Sequence, residues 1–331
     1  MNRSIKAVVY ESHGNPQEVL RVETCQLSDP AADEALVEMR AAPINPADLN
    51  AIEGKYPVKP ALPATPGMEG AGVVAAVGAA VRDLRIGTQV ILPHNFGTWR
   101  EACVIKASQL VAVPNEIDAV QAAMLKVNPL TAWRMLHGYV QLERGEWLIQ
   151  NAANSGAGRA VIQIAHELGY KTVNVVRRAE LVDELRSEGG DVVLVDGETL
   201  RDDVANATGR AAIRLGLNAV GGDSALRLAN TLAPDGTVVT YGAMSLQPLK
   251  IPNGLLIFKN LIWRGIWINK WYDGATTEER MAAFRPLFEM AKRGALKAQV
   301  DKVYPLADVK AAVAHATQNH RAGKIVLRCG S

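Results

Sequence analysis

The sequence predicts an α/β protein in which a β-rich region flanks a doubly wound parallel sheet. Three observations carry this reading. Short apolar runs broken by Pro and Gly fill the first third, as in "ALVEMRAAPINPADLN", "EGAGVVAAVG" and "GTQVILP". From about Val120 strand-like and helix-like segments alternate, which is the mark of repeated βα units. After "LIWRGIWIN" the pattern changes again, to a helix, a strand, a helix and a last strand "GKIVLR". A chain of 331 residues also suits two domains better than one. The expected division is 1–121 with 266–331 for the β-rich domain, and 122–265 for the doubly wound domain.

The elements follow in order. "MNRSIKAVVY" enters a strand at once, with no basic-then-apolar leader before it, which predicts a cytoplasmic protein. In "AVQAAMLKVNPLTAWRML" the apolar residues fall at helical spacing, and Pro129 kinks or restarts the helix. "EWLIQNA", "KTVNVVR", "VVLVDG", "IRLGLNAVG" and "TVVTYG" read as strands, with "AELVDELRSEG" and "ALRLANTLAPDG" as intervening helices. "TTEERMAAFRPLFEMAKRGAL" reads as an amphipathic helix. No apolar run is long enough to span a bilayer.

Composition narrows the function. Lys and Arg exceed Asp and Glu by 36 − 34, or +2, which gives no reason to expect a nucleic-acid or membrane partner. Cys25, Cys103 and Cys329 are widely spaced and include no CxxC pair, against both a disulfide framework and a structural zinc site. His13, His94, His137, His166, His315 and His320 are scattered without ligand spacing.

The strongest motif is "IQNAANSGAGRAVIQIA". A strand, a tight turn of small residues and a helix follow one another, the context a dinucleotide-binding loop requires. Ala152, Ser155 and Gly158 stand at the spacing usual for glycines, and Asn154, Gly156 and Ala157 complete the loop. Small residues let the backbone approach a pyrophosphate, and a helix N-terminus offers N–H groups and a positive dipole end. Ser155 sacrifices some closeness but adds a hydroxyl. The next strand ends at Val176, where an NAD site would place an acid for the ribose hydroxyls. Arg177 and Arg178 stand there instead, and a guanidinium forks onto a 2′-phosphate, so the expected cofactor is NADPH.

Together with "INPADLNAIEGKYPVKP", "GTWRE", "VTYGAMSLQP", "LLIFKNLIWRGIWINKW" and "GKIVL", these residues resemble the zinc-independent medium-chain dehydrogenase/reductases. More narrowly, the chain is similar to the 2-enoyl thioester reductases, including the mitochondrial trans-2-enoyl-CoA reductases of fatty-acid synthesis. The resemblance implies a GroES-like β-rich catalytic domain, a Rossmann domain and a homodimer. It implies NADPH-dependent reduction of the C=C bond of an enoyl-CoA or enoyl-carrier-protein thioester. A second reading on the same fold is an NADPH:quinone oxidoreductase. In zinc-dependent relatives a Cys and a His hold the metal, whereas this chain has Asn45 and Met68 in the corresponding stretches, so no metal is expected.

By the same resemblance Tyr56 in "GKYPVKP" is the catalytic tyrosine, giving a proton directly or through water. Asn45 either orients substrate or nicotinamide, or merely caps a turn before Pro46. Asn128 and Thr131 resemble residues on the nicotinamide side. Tyr241, Gly242, Ala243 and Met244 follow a strand whose carboxyl end is where such sheets bind ligands. Lys324 resembles a residue near the cofactor, or equally is a solvent-facing lysine before a strand. Phe258, Trp267 and Trp271 read as an acyl-pocket wall and cofactor rim, or as domain or dimer packing. Arg280, Arg285, Lys292 and Arg293 lie on a helix that also carries acids, which favours a solvated face over a carrier-protein contact.

Overall fold

The computed structural model describes residues 3–318 and 321–330, so His320 lies outside the described residues. The chain divides into two compact units, one of residues 1–126 with 297–331 and one of residues 127–296.

The first unit opens with strands β1 (Arg3–Val9) and β2 (Arg21–Leu27), an antiparallel pair on either side of the short helix α1 (Pro16–Val19). Then come β3 (Glu34–Pro43), helix α2 (Pro46–Ile52), β4 (Ala71–Val77), β5 (Gln89–Ile91), β6 (Ala102–Lys106), β7 (Val111–Ala112) and helix α3 (Ala119–Ala122). In β3 every second residue from Ala35 to Met39 is fully buried, because one face of the strand meets the core. That core gathers Val37, Met39, Ile44, Ile52, Leu92 and Trp99.

The second unit begins with helix α4 (Asn128–His137), with Pro129 in its first turn, where a missing N–H costs no hydrogen bond. The proline restarts the helix, as the sequence allowed. Strands β8 (Trp147–Gln150), β9 (Lys171–Val176), β10 (Val192–Val195), β11 (Ile213–Asn218), β12 (Thr237–Thr240) and β13 (Ile262–Gly265) follow. Between them run α5 (Gly156–Leu168), α6 (Val182–Ser187), α7 (Leu200–Ala207), α8 (Gly222–Thr231) and α9 (Asn253–Ile257), with α10 (Ile268–Gly274) and α11 (Thr277–Lys292) last. All six strands are parallel, in the order β10-β9-β8-β11-β12-β13. β9 is buried at five of its six positions, as a strand covered on both faces must be. The order reverses between β8 and β11, which puts a crevice at their carboxyl ends.

Strand β14 (Val300–Pro305), helix α12 (Val309–Ala316) and β15 (Lys324–Arg328) complete the first unit. β15 lies between β14, parallel to it, and β3, antiparallel to it. The second unit thus extends to Leu296, past the expected return near Ile266. α11 packs on α4, Arg134 of α4 stacks over the Trp271 ring at 4.6 Å, and Tyr139 Oη donates to the Gly265 carbonyl at 3.2 Å. Texture alone could not assign α10 and α11, because an amphipathic helix looks the same on either core. No helix among the described residues is long and apolar enough to cross a membrane.

Candidate active site

In the second unit the turn after β8 is built for close approach. Ala152 has φ +50°, a left-handed conformation that favours glycine and here belongs to a residue with a small side chain. Ser155 caps α5, its Oγ accepting from Gly158 N at 3.1 Å. A Cβ at Gly158 would come within 2.5 Å of the Ala153 carbonyl oxygen and 2.7 Å of that of Ala152, so only glycine lets the helix start this close to the turn. The cap uses Gly158 N, and Gly156 N and Ala157 N stand ahead of it as first-turn donors for an anion. Asn154 is exposed, and its carbonyl accepts from Arg159 Nε at 3.2 Å. These residues fit a dinucleotide pyrophosphate.

Buried amides tie the crevice together. Asn151 Nδ2, just past β8, donates to Asn218 Oδ1 at 2.9 Å, and Asn151 Oδ1 accepts from Ala219 N at 2.7 Å. Asn218 Oδ1 also accepts from Gly221 N, and Asn218 Nδ2 donates to Thr240 Oγ1 at 3.2 Å. The carboxyl ends of β8, β11 and β12 are thereby held in one arrangement. Asn151 and Asn218 are absent from the sequence-based candidates, and their signal is a polar residue closing an apolar strand. Tyr241 follows β12; its hydroxyl is buried beside Ser155, and burial pushes its pKa up to about 12. Gly242 packs against Ala219, while Ala243 and Met244 are exposed.

At the end of β9 Arg177 is exposed and Arg178 is half-buried, 3.3 Å from Glu180. No acid occupies that strand end. Asp196, at the end of β10, is engaged bidentately by Arg227 at 2.7 and 3.0 Å. Asn128 is the first residue of α4, and the Thr131 hydroxyl donates to the Val127 carbonyl at 2.6 Å, a bond within the helix. Phe258 is 85% exposed, Trp267 is exposed ahead of α10, and Trp271 lies under Arg134. On α11 Arg293 pairs with Glu167, Lys292 with Glu289, and Arg280 stacks on Tyr272, so three of the four basic residues are engaged locally.

In the first unit the structure brings Asn45 and Lys324 together and adds two acids. Asn45 Nδ2 donates to Glu69 Oε1 at 2.9 Å, and Lys324 Nζ donates to Asn45 Oδ1. Asp48 accepts from Asn45 N at 2.7 Å and Met68 N at 2.8 Å. Asp48 and Glu69 are fully buried. Burial lifts Asp48 to about 7, against the two N–H groups and Lys324, which favour the carboxylate. Burial likewise lowers Lys324, opposed by the charges of Glu69 and Asp48. Tyr56 is half-buried in the loop after α2, where its N–H donates to the Asn50 carbonyl at 3.1 Å.

With this geometry in hand, the chain can be set beside known proteins. An alcohol dehydrogenase GroES-like domain matches residues 31–115, and a zinc-binding dehydrogenase domain matches residues 188–327. The mitochondrial enoyl-acyl-carrier-protein reductase of Caenorhabditis elegans is 44% identical over 303 residues, spanning 89% of this chain and 87% of that protein. The chain belongs to the medium-chain dehydrogenase/reductase family, among its enoyl thioester reductases.

The rat enzyme of the same name is 42% identical over 93% of this chain and 84% of its own. Among solved structures, a complex of the enoyl thioester reductase Etr1p with NADP and crotonyl-CoA superposes with a TM-score of 0.90 at 30% identity, covering 98% of this chain and 100% of the other. A putative NADPH:quinone reductase from Bacillus thuringiensis does so at 0.90 and 31%, covering 98% and 99%. The family's GroES-like and Rossmann architecture is thus established for this chain. The expectation of a cytoplasmic protein is corrected by these relatives, which are mitochondrial enzymes by name. A leader-like pattern at a chain start is a local signal, and its lack there does not locate a protein.

The zinc in the name of one matching domain does not suit these residues. The Asn45 amide is held by Lys324 and Glu69, Met68 offers only a thioether, and an ammonium stands in the cluster.

Proposed function

We propose that this chain is an NADPH-dependent 2-enoyl thioester reductase that converts a trans-2-enoyl-CoA or enoyl-carrier-protein thioester to the saturated acyl thioester. The observation that carries the reading is the cofactor crevice at the reversal between β8 and β11, with arginines in place of an acid at the end of β9, in a chain 44% identical to an enoyl-acyl-carrier-protein reductase.

NADPH supplies a hydride to Cβ of the enoyl thioester. The first turn of α5 holds the pyrophosphate through Gly156 N and Ala157 N, with Asn154 and Ser155 beside it. Arg177 and Arg178 meet the 2′-phosphate, and Tyr241 to Met244 border the crevice with Asn128 and Thr131. Charge collects on the thioester oxygen, so a donor there lowers the barrier. Tyr56 is that donor or the source of the Cα proton, directly or through one water. Asn45 orients the reacting groups.

The protein works as a homodimer. β13 is one of the two edge strands of the sheet among the described residues, with β10 at the other end. Leu256, Ile257, Phe258, Ile262 and Trp267 form an exposed apolar band on and around it. An unpaired edge flanked by apolar side chains is matched by a second copy of itself about a two-fold axis. In this reading Phe258 serves dimer packing.

The deciding experiment is NADPH oxidation with crotonyl-CoA, a longer 2-enoyl-CoA and a simple quinone in parallel. Turnover on the enoyl-CoAs supports the proposal, and turnover on the quinone alone replaces it with the quinone reductase reading that the Bacillus structure resembles.

A further inference from the structure

Asn45 is 4% exposed, between β3 and α2. Its side chain has a charged neighbour at each end: the Glu69 carboxylate accepts from Nδ2 at 2.9 Å, and the Lys324 ammonium donates to Oδ1. Sheet register delivers the lysine. β15 runs antiparallel to β3 with Val326 opposite Pro43, and Ile44 N bonds the Ile325 carbonyl at 2.9 Å. Continuing that register sets Lys324 beside Asn45, although 279 residues separate them. The backbone around Glu69 is also fixed, since its carbonyl accepts from Thr98 Oγ1 at 2.7 Å and Asp48 ties Met68 N to Asn45 N.

An asparagine amide can turn over at little steric cost, because its oxygen and nitrogen are similar in size. Here charge forbids it. An ammonium only donates and an ionised carboxylate only accepts, so turning the amide would set N–H against ammonium and C=O against carboxylate. We infer that Lys324 and Glu69 are positioning residues that, with the α2 capping box in which the Asn45 side chain accepts from Asp48 N, lock the Asn45 amide in one orientation, so that its second N–H faces the same way in every molecule. Lys324 then acts through Asn45 and not on a cofactor phosphate. Burial and the neighbouring cation Arg321 disfavour its charge, while Glu69 and Asp48 favour it. The lock belongs to these residues themselves; only what meets the amide rests on the reductase reading.

The test uses Lys324→Met, Asn45→Ala, both together, and Lys324→Met with Glu69→Gln. The last keeps the experiment sound if the single change strands a buried carboxylate and unfolds the chain. Three quantities are read: NADPH affinity by cofactor fluorescence, turnover of crotonyl-CoA, and hydrogen exchange of the Asn45 side-chain NH2 by NMR in the ligand-free protein. Asn45→Ala assigns that NMR signal. The lock predicts one slowly exchanging NH2 pair in the parent and exchange on the order of tenfold faster without Lys324. It predicts turnover lowered on the order of tenfold by Lys324→Met, with unchanged NADPH affinity and no further loss when Asn45 is already Ala. A weakened NADPH complex with an unaltered amide signal would overturn it, as would independent effects of the two substitutions. If the parent turns over no enoyl thioester, the reductase proposal fails while the amide signal still decides the lock.

Discussion

Replacing Tyr56 with Phe removes one oxygen and keeps the ring of a half-buried residue in the loop after α2. A general acid or oxyanion donor contributes about 10²-fold or more, so Tyr56→Phe should lower turnover of crotonyl-CoA by at least roughly that factor. NADPH affinity should stay as it was, since the loop that holds the cofactor lies elsewhere in the chain. Unchanged turnover would remove Tyr56 from the mechanism. Asp48 yields a prediction about stability. Its folded pKa of about 7 lies above the ordinary carboxylate value of 3.8, so the folded state holds the proton more tightly than the unfolded one. The stability this contributes is full below pH ~4 and is lost as pH rises through ~7, by up to ~4 kcal/mol. Glu69, Lys324 and two backbone N–H groups face the carboxylate, and Asp48→Asn should flatten the slope of unfolding free energy over that window in urea titrations. An unaltered slope would place the titration elsewhere. Asn45 and Lys324 were legible as candidates one at a time. Asp48 and Glu69 were not, because a lone acid in "NPADLN" or "PGMEG" reads as an ordinary cap or turn until the sheet buries it.

Strand β9 and helix α5 were legible as whole elements. The five buried positions in β9 are three valines with Thr172 and Asn174 among them, and α5 has a serine cap before it and Gly169 in the left-handed conformation after it. The cofactor preference belongs to this scale, because it depends on what stands where β9 ends. Changing Arg177 and Arg178 together to Ala should raise the NADPH Michaelis constant tenfold or more, on the order of one charge-assisted contact, and leave that for NADH nearly unchanged. Equal effects on both cofactors would show that the arginines support the loop and do not read the 2′-phosphate. The helices α10 and α11 were legible as helices but not in their allegiance. Arg134 over Trp271 assigns α10 to the second unit and the packing of α11 on α4 assigns α11, in both cases through residues more than a hundred positions apart.

At the scale of the molecule, the free edge of β13 and the apolar band from Leu256 to Trp267 argue for assembly. Phe258→Asp with Ile262→Asp should convert a dimer into a monomer in sedimentation velocity, since like charges buried on a self-complementary edge repel across the two-fold axis. A monomeric parent protein would refute the dimer outright. The sequence by itself determined the local chemistry: the strand-turn-helix loop, the arginines after β9, the exchange of metal ligands for Asn45 and Met68, and the doubly wound unit. All of these are written in contiguous residues, where backbone geometry and side-chain periodicity act over a few positions. Tertiary structure alone decided that Asn45, Asp48 and Glu69 share one buried cluster with the half-buried Lys324, that Asn151 and Asn218 bridge the strand ends, and that the second unit runs on to Leu296. The reason is register: which distant residues face each other is set by how strands pair, and a charge or an amide acquires its partner, its burial and its shifted pKa only once that pairing exists.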